Sequence, residues 1–165
     1  MIRQISNCNW VPTGKTPWKY KLVTDYRIEV ITPWPNRKEI FLFLCKNGEE
    51  YHEFGRLFNG ILTLRNQYAI DGATCAPDIK SMFPAIFFHD IGCQFCDVDG
   101  SPFTRQDIDI GFYELARKTN PVASHIYFRG VRFGARFMRS KPNPLLKIEI
   151  ITPDHEEYEI HRSQK

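Results

Sequence analysis

The residues of this chain whose types and spacing could do chemistry sit in its middle third: Asp71-Gly72-Ala73-Thr74, the adjacent pair His89-Asp90, then Arg105 and Asp109. They lie in or beside strongly apolar segments, where a carboxylate or imidazole is costly to bury unless it is paired, hydrogen-bonded or bound to a metal. His89 with Asp71, Asp90 and Asp109 is a sufficient set for a divalent metal that polarises a substrate or activates a water, with His89, Asp90 and Asp109 as its closest candidate ligands. Alternatively, His89 held by an aspartate could act as a general base, with Thr74 or Cys75 as nucleophile.

Each member also has a non-catalytic use. Asp71 can cap the helix that follows or fix the Gly72 turn, Asp109 can pair with Arg105 one helical turn away, and His89 can donate to a backbone carbonyl. On a helix, neighbours such as His89 and Asp90 point about 100° apart, so adjacency does not make them converge. Catalytic centre and structural network both stay open from sequence, and convergence with solvent access decides between them.

Further motifs surround this constellation. His89, Cys93 and Cys96 form His-x3-Cys-x2-Cys, which needs a fourth ligand such as Cys75 to make a zinc site; reduced core thiols are the simpler reading. Asp97-Val-Asp-Gly-Ser101 has the acidic start of a calcium loop without its terminal glutamate, and reads as a solvated turn. Arg129, Arg132, Arg136 and Arg139 align along one helical stripe that could meet phosphates or an acidic protein surface, or simply face water.

The elements that must position these groups divide into a strand-rich N-terminal part, a helical centre and a polar tail. Residues 20–31 alternate apolar and polar and stop at Thr32-Pro-Trp-Pro-Asn36, which predicts a strand and a turn. Residues 39–45 form an apolar run that ends in a hairpin signal at Lys46-Asn47-Gly48 and returns through residues 50–54. Short runs at 60–64 and 68–70 complete a small antiparallel sheet. From about Asp78 to Cys93 the apolar period becomes helical, with Pro84 expected to kink it or divide it into two helices. Thr104 and Asp107 resemble a capping box for a helix from Arg105 to about Lys118, which Asn120-Pro121 ends; a last helix runs from Val122 to about Arg139. Residues 145–165 hold two alternating segments, expected to form an arm that pairs with itself or with a neighbouring sheet. The expected fold is α+β: an N-terminal antiparallel sheet packed by three or four helices, as one domain over 1–144 with the arm at 145–165.

The composition bounds function loosely. At 165 residues, 42% hydrophobic and 25% charged, the chain suits one globular domain. Thirteen Phe, seven Tyr and three Trp mean that large rings carry much of the core and some of any partner surface. A net charge of +3 does not point to nucleic acid. No apolar run approaches the roughly 20 residues of a membrane-spanning helix, and the start lacks the apolar stretch of a signal peptide, so a cytoplasmic address is expected. Five cysteines at irregular spacing do not suggest a disulfide framework.

Tyr68-Ala-Ile-Asp71-Gly-Ala-Thr-Cys-Ala-Pro77, Phe87-Phe-His89-Asp90, Arg105-Gln-Asp-Ile-Asp109-Ile-Gly-Phe112 and Tyr127-Phe-Arg-Gly-Val-Arg132-Phe-Gly134 together resemble a bacteriophage and prophage family catalogued as domain of unknown function 1353. The likeness covers roughly residues 20 to 136. Ile70 and Thr74 depart from the Thr and Ser of the family pattern, and Ile91-Gly-Cys93 departs from its aromatic-rich segment. The resemblance implies a phage gene product and supplies no activity. It frames two expectations: a virion or assembly component, a tail or head accessory, working through contacts with other phage structural proteins and with copies of itself through the arm; or a small hydrolase with a metal or general-base centre, directed at cell-wall material. The first implies residence in the host cytoplasm during assembly and then in the virion.

Overall fold

The computed structural model describes residues 2–14, 17–30, 39–72, 77–137 and 143–152; in the last helix, side chains are described only to Phe133. Among the described residues nine strands form two antiparallel sheets. The larger contains β1 (Ile2–Gln4), β4 (Tyr26–Val30), β5 (Ile40–Asn47), β6 (Glu50–Phe58), β7 (Ile61–Leu64) and β9 (Leu146–Ile151), in the order β1-β4-β7-β6-β5-β9. The smaller holds β2 (Trp10–Pro12), β3 (Tyr20–Leu22) and β8 (Ala69–Ile70), in the order β2-β3-β8. Three helices follow: α1 (Phe83–Phe95), α2 (Arg105–Thr119) and α3 (Pro121–Phe137). The molecule is α+β, with its helices packed on the large sheet.

The alternation in β4 is complete: Tyr26, Ile28 and Val30 are buried, while Arg27 and Glu29 lie at intermediate depth. That period of two puts one face of the sheet into the core. The segment expected as one strand over 20–31 is instead two, β3 and β4, which belong to different sheets. The break has a physical cause at Asp25, whose carboxylate accepts from the Asn66 amide at 2.8 Å and from Arg65 at 2.9 Å, diverting the backbone from β3 toward the large sheet.

α1 is buried nearly all round, through Phe83, Ile86, Phe87, Phe88, Ile91 and Phe95 among others. A helix with no polar face belongs in a core, and here it lies between the large sheet and α2. Each of its fully enclosed phenylalanines contributes roughly 1.5–3 kcal/mol of burial. Glycines permit the close approach: a Cβ at Gly55 would lie 2.7 Å from the Thr63 carbonyl and 2.9 Å from Ile91, and one at Gly111 would lie 2.6 Å from the Phe88 ring.

Pro84 begins α1 rather than kinking it. It occupies the first turn, where its missing N–H has no intrahelical acceptor to lose, and a single 3-10 turn at Lys80–Met82 leads in. The capping box at α2 is present: Thr104 Oγ1 accepts from the Asp107 amide while the Asp107 side chain accepts from the Thr104 amide.

The first part of the expected strand-like arm forms β9, the edge strand of the large sheet, antiparallel to β5 from Ile40↔Ile151 to Cys45↔Leu146. The remainder of the expected arm, 153–165, lies outside the described residues. No described helix is long and apolar enough to cross a membrane.

Candidate functional site

The polar constellation separates into two groups, one around Asp109 and one around Asp90. The first is centred on Asp109, which is 0% exposed on the inner face of α2. Its Oδ1 accepts from His89 Nε2 on α1 at 3.1 Å and from Arg105 Nε one turn back on α2 at 3.2 Å. Its Oδ2 accepts from Arg132 on α3 at 3.3 Å. One carboxylate therefore joins all three helices.

Burial alone would raise the Asp109 carboxyl, but the His89 hydrogen bond, the nearby Arg105 charge and the Arg132 hydrogen bond outweigh it and hold the group below the usual carboxylate range. An ionised carboxylate only accepts, so His89 Nε2 carries the proton. The Cys93 sulfur lies over the imidazole, 3.5 Å from Nδ1 and 3.4 Å from Nε2. Burial pushes that thiol well above its ordinary range, which keeps it protonated and a poor nucleophile. The Phe112 ring packs edge-on against the imidazole at 5.2 Å. His89 is thus held by Asp109 at Nε2 and packed against the Cys93 sulfur and the Phe112 ring, contacts that together orient it.

The second group is built from Tyr68, Asp71 and Asp90. Asp90 projects from α1 at a half-buried position, and Asp71 is exposed just after β8. Burial first, and the Asp71 charge second, push the Asp90 carboxyl well above the usual carboxylate range. Tyr68 precedes β8 and is 2% exposed, its ring against Phe54 at 5.4 Å and Phe87 at 6.3 Å. Its hydroxyl is buried without a hydrogen-bond partner. After burial, the charges that act on that phenol are those of Asp90, Cys93, Asp71 and Cys45, in that order.

These placements answer the expectations one by one. His89 and Asp109 converge, joined by Arg105 and by Arg132, which the sequence reading had assigned to an interaction stripe. Asp90 and Asp71 belong to the other group and share no hydrogen bond with His89 or Asp109 among the described residues. The metal set His89, Asp90 and Asp109 is not assembled: among the described residues no group of three or more His, Cys, Asp and Glu side chains could hold an ion. The same holds for His89, Cys93 and Cys96; both thiols are free, and Cys96 Sγ donates to the Cys93 carbonyl at 3.6 Å. Asp71 does not cap the 3-10 turn, whose N-cap is Ile79. Thr74 and Cys75 lie outside the described residues, as do Arg139 and the side chain of Arg136.

A third feature was not anticipated. The outer face of α3 exposes Val122 (77%) and Ile126 (68%) one turn apart, and Gly130 continues the line with open space around it. Beside them Tyr113 packs on Phe128 at 4.9 Å and on His125 at 5.3 Å, with Arg117 over the Tyr113 ring at 5.7 Å. Arg129 is exposed on the same side. The signal was present in the sequence, since Val122 and Ile126 each precede by one residue the inward-facing Ala123 and Tyr127 and so lie off the core stripe. Comparison with family models, with curated proteins and with solved structures finds no match to this chain.

Proposed function

We propose that this chain is an assembly component that works through protein contacts, with the outer face of α3 as its contact surface. The observation that carries this reading is the exposed pair Val122 and Ile126, backed by the Tyr113–His125–Phe128 ring cluster and bordered by Arg117 and Arg129. Apolar side chains contiguous on a helix face, with aromatic and arginine neighbours, have the composition of a protein interface centre. The basic border favours a partner with an acidic rim. The likeness to a phage family makes the setting a virion, as a tail or head accessory.

A hydrolase centred on Asp71, His89, Asp90 and Asp109 is the weaker reading. Both oxygens of Asp109 and the Nε2 of His89 are already engaged, and Asp109 is sealed from solvent. A reacting group needs access to its base.

Particles purified from a phage that encodes this chain test the proposal. Mass spectrometry should find the protein in the particle, and a Val122→Asp, Ile126→Asp double variant that folds normally should be lost from it. Absence of the parent chain from particles, or full incorporation of the double variant, would overturn the reading.

A further inference from the structure

The large sheet has two outer strands, and the fold treats them differently. β1 has three residues, and α2 covers its edge: the Ile2 amide donates to Glu114 at 2.8 Å, and the Ile2 carbonyl accepts from Lys118 at 2.6 Å. β9 has six residues, and no described strand pairs with its outer edge. Leu145, Ile150 and Ile151, at or beside this edge, are exposed. A long apolar edge with outward backbone groups is a template for another strand.

The backbone of β9 fixes which residues can receive that strand. The Lys46 amide donates to the Leu145 carbonyl at 2.8 Å, so in this antiparallel ladder the odd-numbered residues of 145–151 bond to β5. The N–H and C=O groups of Leu146, Ile148 and Ile150 therefore point out of the sheet edge, and of these the Leu146 amide is taken by the Asn143 carbonyl at 3.0 Å. The same alternation sorts the side chains. Leu146 and Ile148 pack against the core, whereas Lys147 and Glu149 lie on the opposite face, half-exposed and joined to each other at 3.2 Å.

We propose that β9 pairs antiparallel with β9 of a second copy of this chain, about a two-fold axis through Ile148. A strand that continues the sheet must keep its apolar side chains on the core face, so even-numbered residues must meet even-numbered ones. Moving the axis one residue, to Lys147 or to Glu149, sets like charges directly opposite each other, which is unfavourable. Larger shifts shorten the overlap. Centred on Ile148, each Lys147 faces the partner's Glu149, and each Leu146 faces the partner's Ile150. The Ile148 amide then donates to the partner's Ile148 carbonyl and the Ile150 amide to the partner's Leu146 carbonyl, so the amide already held by Asn143 is not needed. Charge pairing, apolar pairing and backbone hydrogen bonding thus select the same register. Both copies offer the same patch, as a closed two-fold dimer requires. The proposal uses no residue of the α3 surface.

Sedimentation velocity of the intact protein over a range of concentrations tests it. The parent chain should pass reversibly from monomer to dimer as concentration rises. Lys147→Glu and Glu149→Lys each set like charges opposite at both ends of the pairing, and each should weaken dimerisation about tenfold or more while circular dichroism shows the parental fold. Mixed in equal amounts, the two variants carry complementary charges and should form a heterodimer; the double variant should dimerise like the parent. Val122→Asp with Ile126→Asp should leave the dimer intact, which separates this edge from the α3 surface. A parent chain that stays monomeric throughout, a dimer indifferent to both single charge reversals, a mixture that fails to restore association, or a dimer lost in the α3 variant would each overturn the proposal.

Discussion

Asp109 and Asp90 stand on adjacent helices, and their surroundings treat them in opposite ways. Asp109 is the more enclosed of the two and yet stays ionised, because the Arg105 and Arg132 guanidinium groups and a hydrogen bond with His89 converge on it. Asp90 keeps some access to water and is pushed toward its neutral form, because its nearest charge is another acid. Burial alone therefore does not set the fate of a carboxyl; the sign of the charge that faces it does. The first arrangement is a fastener; the second sets one acid against another.

The largest expected effect follows from breaking the fastener. Asp109→Ala leaves three cationic or polar groups converging on an empty dry site, and should cost about 3 kcal/mol or more in urea unfolding. Asp109→Asn, which keeps the volume, tests whether charge rather than packing is responsible. If both variants retain parental stability, the junction does not hold the helices together.

Acid titration sharpens the same contrast. The Asp109 carboxyl is lower in the folded than in the unfolded chain, so its stabilisation is complete above the unfolded value of about 4 and is lost as pH falls through the folded value. Asp109→Asn should remove that part of acid unfolding, read by circular dichroism against pH.

Asp90 has the opposite dependence. Its folded value is raised, so its contribution is fully present below about pH 4 and is lost as pH rises through the folded value. Asp90→Asn should be more stable than the parent at neutral pH by thermal melting, with the gain vanishing toward about pH 4. Equal stability across that range would mean that Asp90 is adequately solvated.

The smallest effect is expected at the α3 surface. Val122→Asp with Ile126→Asp should alter stability by no more than about 0.5 kcal/mol, because both side chains are already in water. A larger loss would show that the ridge supports the fold.

The legible parts of this molecule were those with a long period or a specific local chemistry. The alternation of β4, the Lys46-Asn47-Gly48 turn between β5 and β6, and the Thr104/Asp107 capping box could all be read, since each depends on neighbours in sequence. β1 and β2 were missed because three-residue strands are too short to display a period. The split of residues 20–31 was missed because the diverting contacts at Asp25 come from Arg65 and Asn66, some 40 positions away. Of the two expectations at Pro84, the boundary between helical segments holds and the kink does not; the start of α1 was hidden because it has no side-chain cap to announce it.

At the site, residue types were legible and partners were only partly so. The i,i+4 pairing of Arg105 with Asp109 is local and was foreseen, whereas the Arg132 and His89 contacts depend on how three helices cross. Tyr68 carries no sequence mark of an orphaned hydroxyl, because being orphaned is a property of the surroundings.

Carbon-13 titration of the aspartate carboxyls in the parent protein tests the division between the two acids most directly, since both are read in one sample. Asp109 should titrate below the usual value of about 4 and Asp90 well above it. Titration of both near 4, or in the reverse order, would contradict the assignment of one carboxyl to a junction lined by cations and the other to a position beside another acid.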